Sequence, residues 1–266
     1  MNTEIPKIIH LTWFSGEEFP PKLKQCINTW GKLLPDFEVK VWTMEMARQI
    51  NILYINEALD AKKWAFASDV VRAYAVWKYG GIYMDTDIFL LKRFDKLMTH
   101  KMVFFMEVNP SEWKSFPKGS IAEDGKCKEA EQFVVGRQIQ AAMFMAQPNQ
   151  KCLEDIVDFY RHRHFLDTLG NPTINIISPS IYAKVLEKYG FRYIDKEQHL
   201  ENNITILPST YVACSPYETH DNSISIHYAN HSWNPRSWWG KLKYHVRMTK
   251  VGALLNNFRH KRSISL

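Results

Sequence analysis

Short apolar runs alternate along this chain with stretches whose apolar residues recur every three or four positions, the pattern of an α/β protein. Residues 7 to 13, Lys7-Ile8-Ile9-His10-Leu11-Thr12-Trp13, predict a buried strand closed by Phe14-Ser15-Gly16 and the Pro20-Pro21 pair. Leu23, Ile27, Trp30 and Leu34 then share one helical face, and residues 37 to 42 alternate like a half-exposed strand. Together they predict a β-α-β unit with a right-handed crossover. From 61 to 78, Trp64, Ala67, Val71, Tyr74 and Trp77 mark turns of a helix that Gly80-Gly81 stops. Ile82-Tyr83-Met84 is a strand running into Asp85-Thr86-Asp87. Residues 102 to 106 and 139 to 145 predict further buried strands, 153 to 164 a helix, and Ser178-Pro179 the start of a helix reaching Tyr189. The polar stretch from Asn109 to Arg137 reads as a long loop over a site. Repeats and low-complexity tracts are absent.

Length and composition narrow this to one large α/β domain, since 266 residues with 45% hydrophobic content fill one core and not two. Cys26, Cys127, Cys152 and Cys214 form no C-x-x-C pair, which fits neither a disulfide scaffold nor a zinc cage and suits a reducing compartment. The first residues lack a signal-peptide pattern, and no apolar run approaches the ~20 residues that span a bilayer. Charge is unevenly placed. After Asp221 there is no acidic residue, while Arg236, Lys241, Lys243, Arg247, Lys250, Arg259, Lys261 and Arg262 supply eight cations of the 34, leaving 26 against 28 acidic residues in the body. The expected division is therefore a catalytic domain over 1–235 and a basic amphipathic helical tail over 236–266. Such a tail, with Trp238, Trp239, Leu242 and Val246 among its cations, suits an anionic membrane surface; the alternative is a helix packed on the body. No module for nucleic acid accompanies it.

Candidate chemistry centres on Asp85 and Asp87. In an extended segment the two carboxylates point to one side, ~6.6 Å apart along the chain, and so face one hard cation together with its phosphate ligands. Mg²⁺ or Mn²⁺ fits such oxygen donors. The pair also falls at a strand's carboxyl end, where open α/β sheets bind ligands. One helix earlier, Asp69 and Arg72 are spaced i, i+3 and project from one face, either as an ordinary ion pair or as a pair reaching the ligand at the strand end.

The string Ala67-Ser68-Asp69-Val70-Val71-Arg72, then Gly80-Gly81-Ile82-Tyr83-Met84-Asp85-Thr86-Asp87, resembles glycosyltransferase family 32. The spacing S-D-x-x-R, eight residues, G-G-x-Y-x-D-x-D is far more specific than D-x-D alone, and the opening Ile5 to Trp13 strand is similar as well. The resemblance runs over residues 5 to about 97, with weaker matches at Ser178-Pro179-Ser180 and at 227 to 233. It implies a GT-A fold, a nucleotide-sugar donor and a divalent cation. It further implies Asp69 and Arg72 at the donor sugar, Trp13 at the base, and Tyr83 near the nucleotide; core packing is the alternative for both aromatics. The segment Ile226-His227-Tyr228-Ala229-Asn230-His231-Ser232-Trp233 resembles the family's closing motif, which would put His227 on the cation and Ser232 and Trp233 against the diphosphate. Tyr228 stands where a second His is common and His231 where a small residue is usual, so which imidazole reaches the metal stays open.

The implied reaction is transfer of a hexosyl unit from a nucleotide sugar, UDP-linked by preference and GDP-mannose otherwise, to a glycan or lipid-linked oligosaccharide, with retention of configuration by front-face attack. Its expected setting is bacterial surface (capsular) polysaccharide synthesis, in the cytoplasm or peripheral at the inner face of the membrane. A Mg²⁺-dependent phosphohydrolase would place its aspartate pair after the first strand, followed by Thr or Val, whereas Asp87 is followed by Ile88-Phe89. A carbohydrate-binding protein without catalysis would account for the nine tryptophans but not for Asp69, Arg72, Asp85 and Asp87 in this spacing.

Overall fold

A computed structural model describes residues 4–117, 119–229 and 249. The chain opens with strand β1 (Ile8–Thr12), helix α1 (Pro21–Leu33) and strand β2 (Glu38–Trp42), the expected β-α-β unit. Two short helices that the periodicity does not announce come next, α2 (Met44–Gln49) and α3 (Leu53–Asp60). Helix α4 (Trp64–Tyr79) leads into β3 (Gly81–Met84), and a turn leads on to β4 (Ile88–Leu90). Then come β5 (Met102–Val108), α5 (Pro110–Ser115), β6 (Arg137–Ile139), β7 (Met143–Ala146), α6 (Lys151–Arg161) and α7 (Ser178–Leu186). The described part ends with β8 (Gln198–Leu200), β9 (Ile204–Leu207), β10 (Val212–Ala213) and β11 (Ser225–His227).

The architecture is the expected α/β one, built on a central sheet in the order β2-β1-β3-β7-β5-β9-β8, with β6 paired to β5. β1 runs parallel to β2 and β3, β5 runs parallel to β9, and β7 lies antiparallel between β3 and β5. A small sheet, β10-β11-β4, packs nearby. Strand alternation sorts the core into two layers. Tyr83, Phe104 and Phe144 point to the layer holding α4, while Ile82, Met84, Phe105 and Met145 point to the layer holding Trp30 of α1 and Leu90 and Ile224 beside them. Both faces are covered, so the strands read as continuous apolar runs.

Two glycines set the α4-to-β3 connection. Gly80 and Gly81 have φ of +66° and +97°, in the left-handed half of the map. A Cβ on Gly81 would stand 2.5 Å from the Ile8 carbonyl oxygen, so only glycine lets β3 lie this close to β1.

Three expectations need correction. The predicted strand over 139 to 145 is two strands, because Gln140 turns its backbone N–H to Phe105 O (2.8 Å) and its side-chain oxygen to Ala142 N (3.1 Å), breaking the run. The stretch from Asn109 to Arg137 is not a plain loop. Asn109 caps α5 through its side-chain oxygen, Ile121 bridges Cys127, and Asn109 N bonds Gly136 O at 2.8 Å, folding the segment back on itself. Asp85-Thr86-Asp87 is not extended either: Ile88 N bonds Asp85 O at 3.0 Å, closing a tight turn between β3 and β4.

Candidate metal and donor site

That turn lies at the carboxyl end of β3 and converges with β11. β11 pairs antiparallel with β4, His227 opposite Ile88, and Tyr228 N bonds Asp87 O at 3.2 Å. His227 is thereby carried back over more than a hundred residues to stand beside Asp87, Nε2 to Oδ1 3.4 Å. Ligand atoms of Asp85, Asp87 and His227 lie within 4.8 Å of one another. Burial works to lower the His227 pKa, but Asp87 and Asp85 outweigh it and push it up to about 9. Two carboxylates and an imidazole gathered this closely are a donor set that fits one divalent cation.

Beside them, α4 supplies a buried charged network. Arg72 reaches Asp69 Oδ1 at 3.1 Å and Asp85 Oδ1 at 3.5 Å, and donates to Ala141 O at 2.8 Å. Ser178, at the start of α7, donates to the same Asp69 oxygen at 2.7 Å. Burial pushes the Asp69 carboxyl up to about 6, with Arg72 and Ser178 pulling against it. Burial also opposes the Arg72 charge, yet Asp85, Tyr83 and Asp69 hold it protonated. The i, i+3 pair is thus an ion pair that also ties α4 to Asp85 and α7.

These groups face a cavity of about 510 Å³, the scale of a site for a drug-sized ligand. Trp13, Asp69, Arg72, Asp85, Asp87 and His227 all line it. Trp13 donates through Nε1 to Glu17 O (2.7 Å) and packs on Phe19 with ring centres 4.5 Å apart, which fixes its indole at the rim. Tyr83 does not line it. Its ring is fully buried, and its hydroxyl donates to Asp85 Oδ1 at 2.6 Å within bonding distance of Ser68 (3.0 Å) and Thr12 (3.1 Å). Its strand position turns it toward α4, so it acts on the site by holding Asp85. Ser232, Trp233, His231 and the tail over 236–266, Thr249 apart, lie outside the described residues. None of the described residues from Asn109 to Arg137 lines the cavity, because their backbone folds back onto α5. Thr12, Ser68, Glu107, Gln140 and Ser178 line it without having been singled out as ligand-facing from the sequence.

The class this defines is an α/β protein with two aspartates and a histidine gathered at a strand end. Residues 20–104 match the family described as "Glycosyltransferase sugar-binding region containing DXD motif", and over that stretch the chain is glycosyltransferase family 32-like. Inositol phosphoceramide mannosyltransferase 3 of Schizosaccharomyces pombe is 35% identical over 115 residues, 40% of this chain and 31% of that one. Mannosyl phosphorylinositol ceramide synthase of Saccharomyces cerevisiae is 27% identical over 121 residues, 44% of this chain and 31% of that one. The matched stretch thus spans about a third of these curated relatives. Among solved structures, the PaToxG glycosyltransferase superposes with a TM-score of 0.46 at 14% identity, covering 70% of each chain. Mouse xyloside xylosyltransferase 1 gives 0.45 at 9% identity, covering 86% of this chain and 99% of that one. Both likenesses are too distant to bear on activity.

Proposed function

We propose that this protein transfers a hexosyl unit from a nucleotide sugar, with a Mn²⁺ or Mg²⁺ ion held by Asp85, Asp87 and His227. The observation that carries the reading is the meeting of those three side chains with the Asp69–Arg72 pair in one cavity at the end of β3. When bound, the cation would act as a Lewis acid toward the diphosphate leaving group. The chain's own residues do the rest. Trp13 offers an aromatic face to the base, Asp69 takes hydrogen bonds from sugar hydroxyls, and Arg72 adds fixed positive charge near the phosphates as negative charge builds there. Tyr83 and Ser178 hold Asp85 and Asp69 in place.

Relatives whose names specify mannosyl transfer put GDP-mannose beside the UDP-sugars as a donor to test, and a lipid-borne acceptor beside a free glycan. They are fungal and lend nothing to a bacterial surface-polysaccharide setting. No helix among the described residues is long and apolar enough to cross a membrane. Peripheral attachment through the basic tail rests on its sequence alone, as does the division at residue 235.

The test is nucleotide release from a panel of UDP- and GDP-sugars with Mn²⁺, comparing the native chain with Asp87→Asn and with a chelated control. We expect one donor to be turned over, and both changes to lower the rate by ~10³-fold. Release that survives both would remove the metal-assisted reading.

A further inference from the structure

Helix α4 opens on a tryptophan that the core does not take up. Ala67 and Val71, which share its apolar face, are fully buried, whereas Trp64 stays 38% exposed. Nine large hydrophobic side chains are exposed among the described residues, and of these nine Trp64 alone lines the cavity. Among the described residues its indole makes no hydrogen bond or ring contact. An aromatic face left bare beside a polar cavity suits a flat ligand.

Contacts along α4 say which part of a ligand Trp64 meets. His10, in the middle of β1, bonds Gly80 O just past the end of α4, while Thr12, at the end of β1, bonds Ser68 with the two oxygens 2.7 Å apart. The helix therefore runs antiparallel to β1, and its first turn projects past the strand's carboxyl end. Trp64 stands one turn, about 6 Å, out from Ser68 along the helix. Trp13 stands one residue, about 3.3 Å, out from Thr12 along the strand. Trp13 packs with Phe19 on the α1 layer and Trp64 rides on α4, so the two indoles flank the Thr12–Ser68 contact from opposite faces of the sheet.

Helical spacing then gives the cavity a direction. Trp64, Ser68 and Arg72 fall at i, i+4 and i+8 in one stripe. Arg72 lies about 12 Å further along α4 than Trp64, and it stands beside Asp85. Asp69 leaves that stripe and turns to Ser178 of α7. A nucleoside diphosphate laid along the stripe has its phosphates at Asp85 and its base between Trp13 and Trp64, while the sugar it carries turns off toward Asp69.

On the proposed transferase reading, on which this step rests, we infer that Trp64 is the second wall of the nucleobase site. Trp13 covers one face of the base and Trp64 the other, so both flat faces leave water. Stacking of this kind accepts a purine or a pyrimidine, because each has a π face. The two tryptophans thus supply affinity for the nucleotide, and the choice of sugar falls to the Asp69 side of α4.

The experiment titrates UDP, GDP and inorganic pyrophosphate, each with Mn²⁺, into the native chain, Trp64→Ala and Trp64→Phe. The expected result is a Kd for both nucleotides raised ~10-fold or more in Trp64→Ala, restored to within about threefold by Trp64→Phe, and a pyrophosphate Kd within about twofold of native throughout. A Trp64→Ala chain that binds both nucleotides as the native chain does overturns the inference, and a raised acceptor KM beside it would assign Trp64 to the acceptor. An equal loss for pyrophosphate also overturns it, since Trp64 would then be a prop for the whole cavity. A native chain that binds neither nucleotide brings down the donor-site reading itself, and this inference with it.

Discussion

The α4–β3 unit carries buried polar groups at both of its ends, and they do opposite things. At the Gly80-Gly81 end, His10 donates from Nε2 to Gly80 O (2.8 Å) and accepts at Nδ1 from Trp42 Nε1 (3.1 Å). Burial, with Lys40 adding to it, lowers its pKa to about 4, so the ring is a neutral spacer with both nitrogens satisfied, and it does not line the cavity at the other end. At the Asp85 end, charged groups from α4, the turn after β3 and β11, with the Ser178 hydroxyl of α7 among them, face open volume. Burial of a titratable group therefore does not by itself mark a site. What marks one is charge from distant segments meeting at a space a ligand fills.

If the two ends are separate in this way, substitutions should split stability from activity. Gly81→Ala places a Cβ 2.5 Å from a backbone oxygen at a φ of +97°, which combines a clash with backbone strain. It should cost about 3 kcal/mol in urea unfolding while the folded fraction keeps its activity. Asp87→Asn should do the reverse. A Gly81→Ala protein of native stability would mean that β3 can move off β1, and the fixed position of Asp85 would lose its basis.

His10 sharpens the contrast through pH. Its imidazole binds a proton near pH 4 when folded and near 6.5 when unfolded. The folded pKa is the lower one, so the unfolded chain takes up the proton first as the pH falls. The neutral ring's contribution is therefore intact above about 6.5 and is lost as the pH drops toward 4, by about 3 kcal/mol at most. Urea midpoints for native and His10→Gln chains across that window should converge as the pH falls. A constant gap would show that the ring is not held neutral.

How far this was legible in the sequence depends on the range of each contact. The α4–β3 string is local, so its helix, glycine stop and aspartate pair could be read from spacing. Its resemblance carried Trp13 and His227 to the same place, and the structure brings both to the cavity. Glu107 was missed because it comes after an apolar run that ends at Met106, and nothing local says that β5 ends where β3 does. Applying the strand-end rule to every parallel strand, and not only the one bearing D-x-D, would have found it. Asn109 to Arg137 misled for the opposite reason, since a polar composition was taken for a cover over the site while backbone bonds at Gly136 and α5 turn the segment away.

Tyr83 gives the finest division between the two ends, because it is as buried as His10 and yet touches the site. Burial, opposed by Arg72 and reinforced by Asp85, keeps its phenol protonated, so it donates to Asp85. In Tyr83→Phe the Thr12–Ser68 contact at 2.7 Å survives, and Arg72 still approaches Asp85 at 3.5 Å, so only one restraint on that carboxylate is removed. A hydrogen bond to a charged group is worth about 1.5 kcal/mol or somewhat more, so the donor KM should rise about tenfold. The decisive feature is uniformity. A hydroxyl that positions Asp85 weakens every donor by the same factor and raises the Mn²⁺ requirement with it, since all donors share the diphosphate. A tyrosine that contacted the nucleotide itself, near which the resemblance put it, would weaken uridine and guanosine donors by different factors and leave the Mn²⁺ requirement unmoved. Titrating both donor types against the variant separates the two roles.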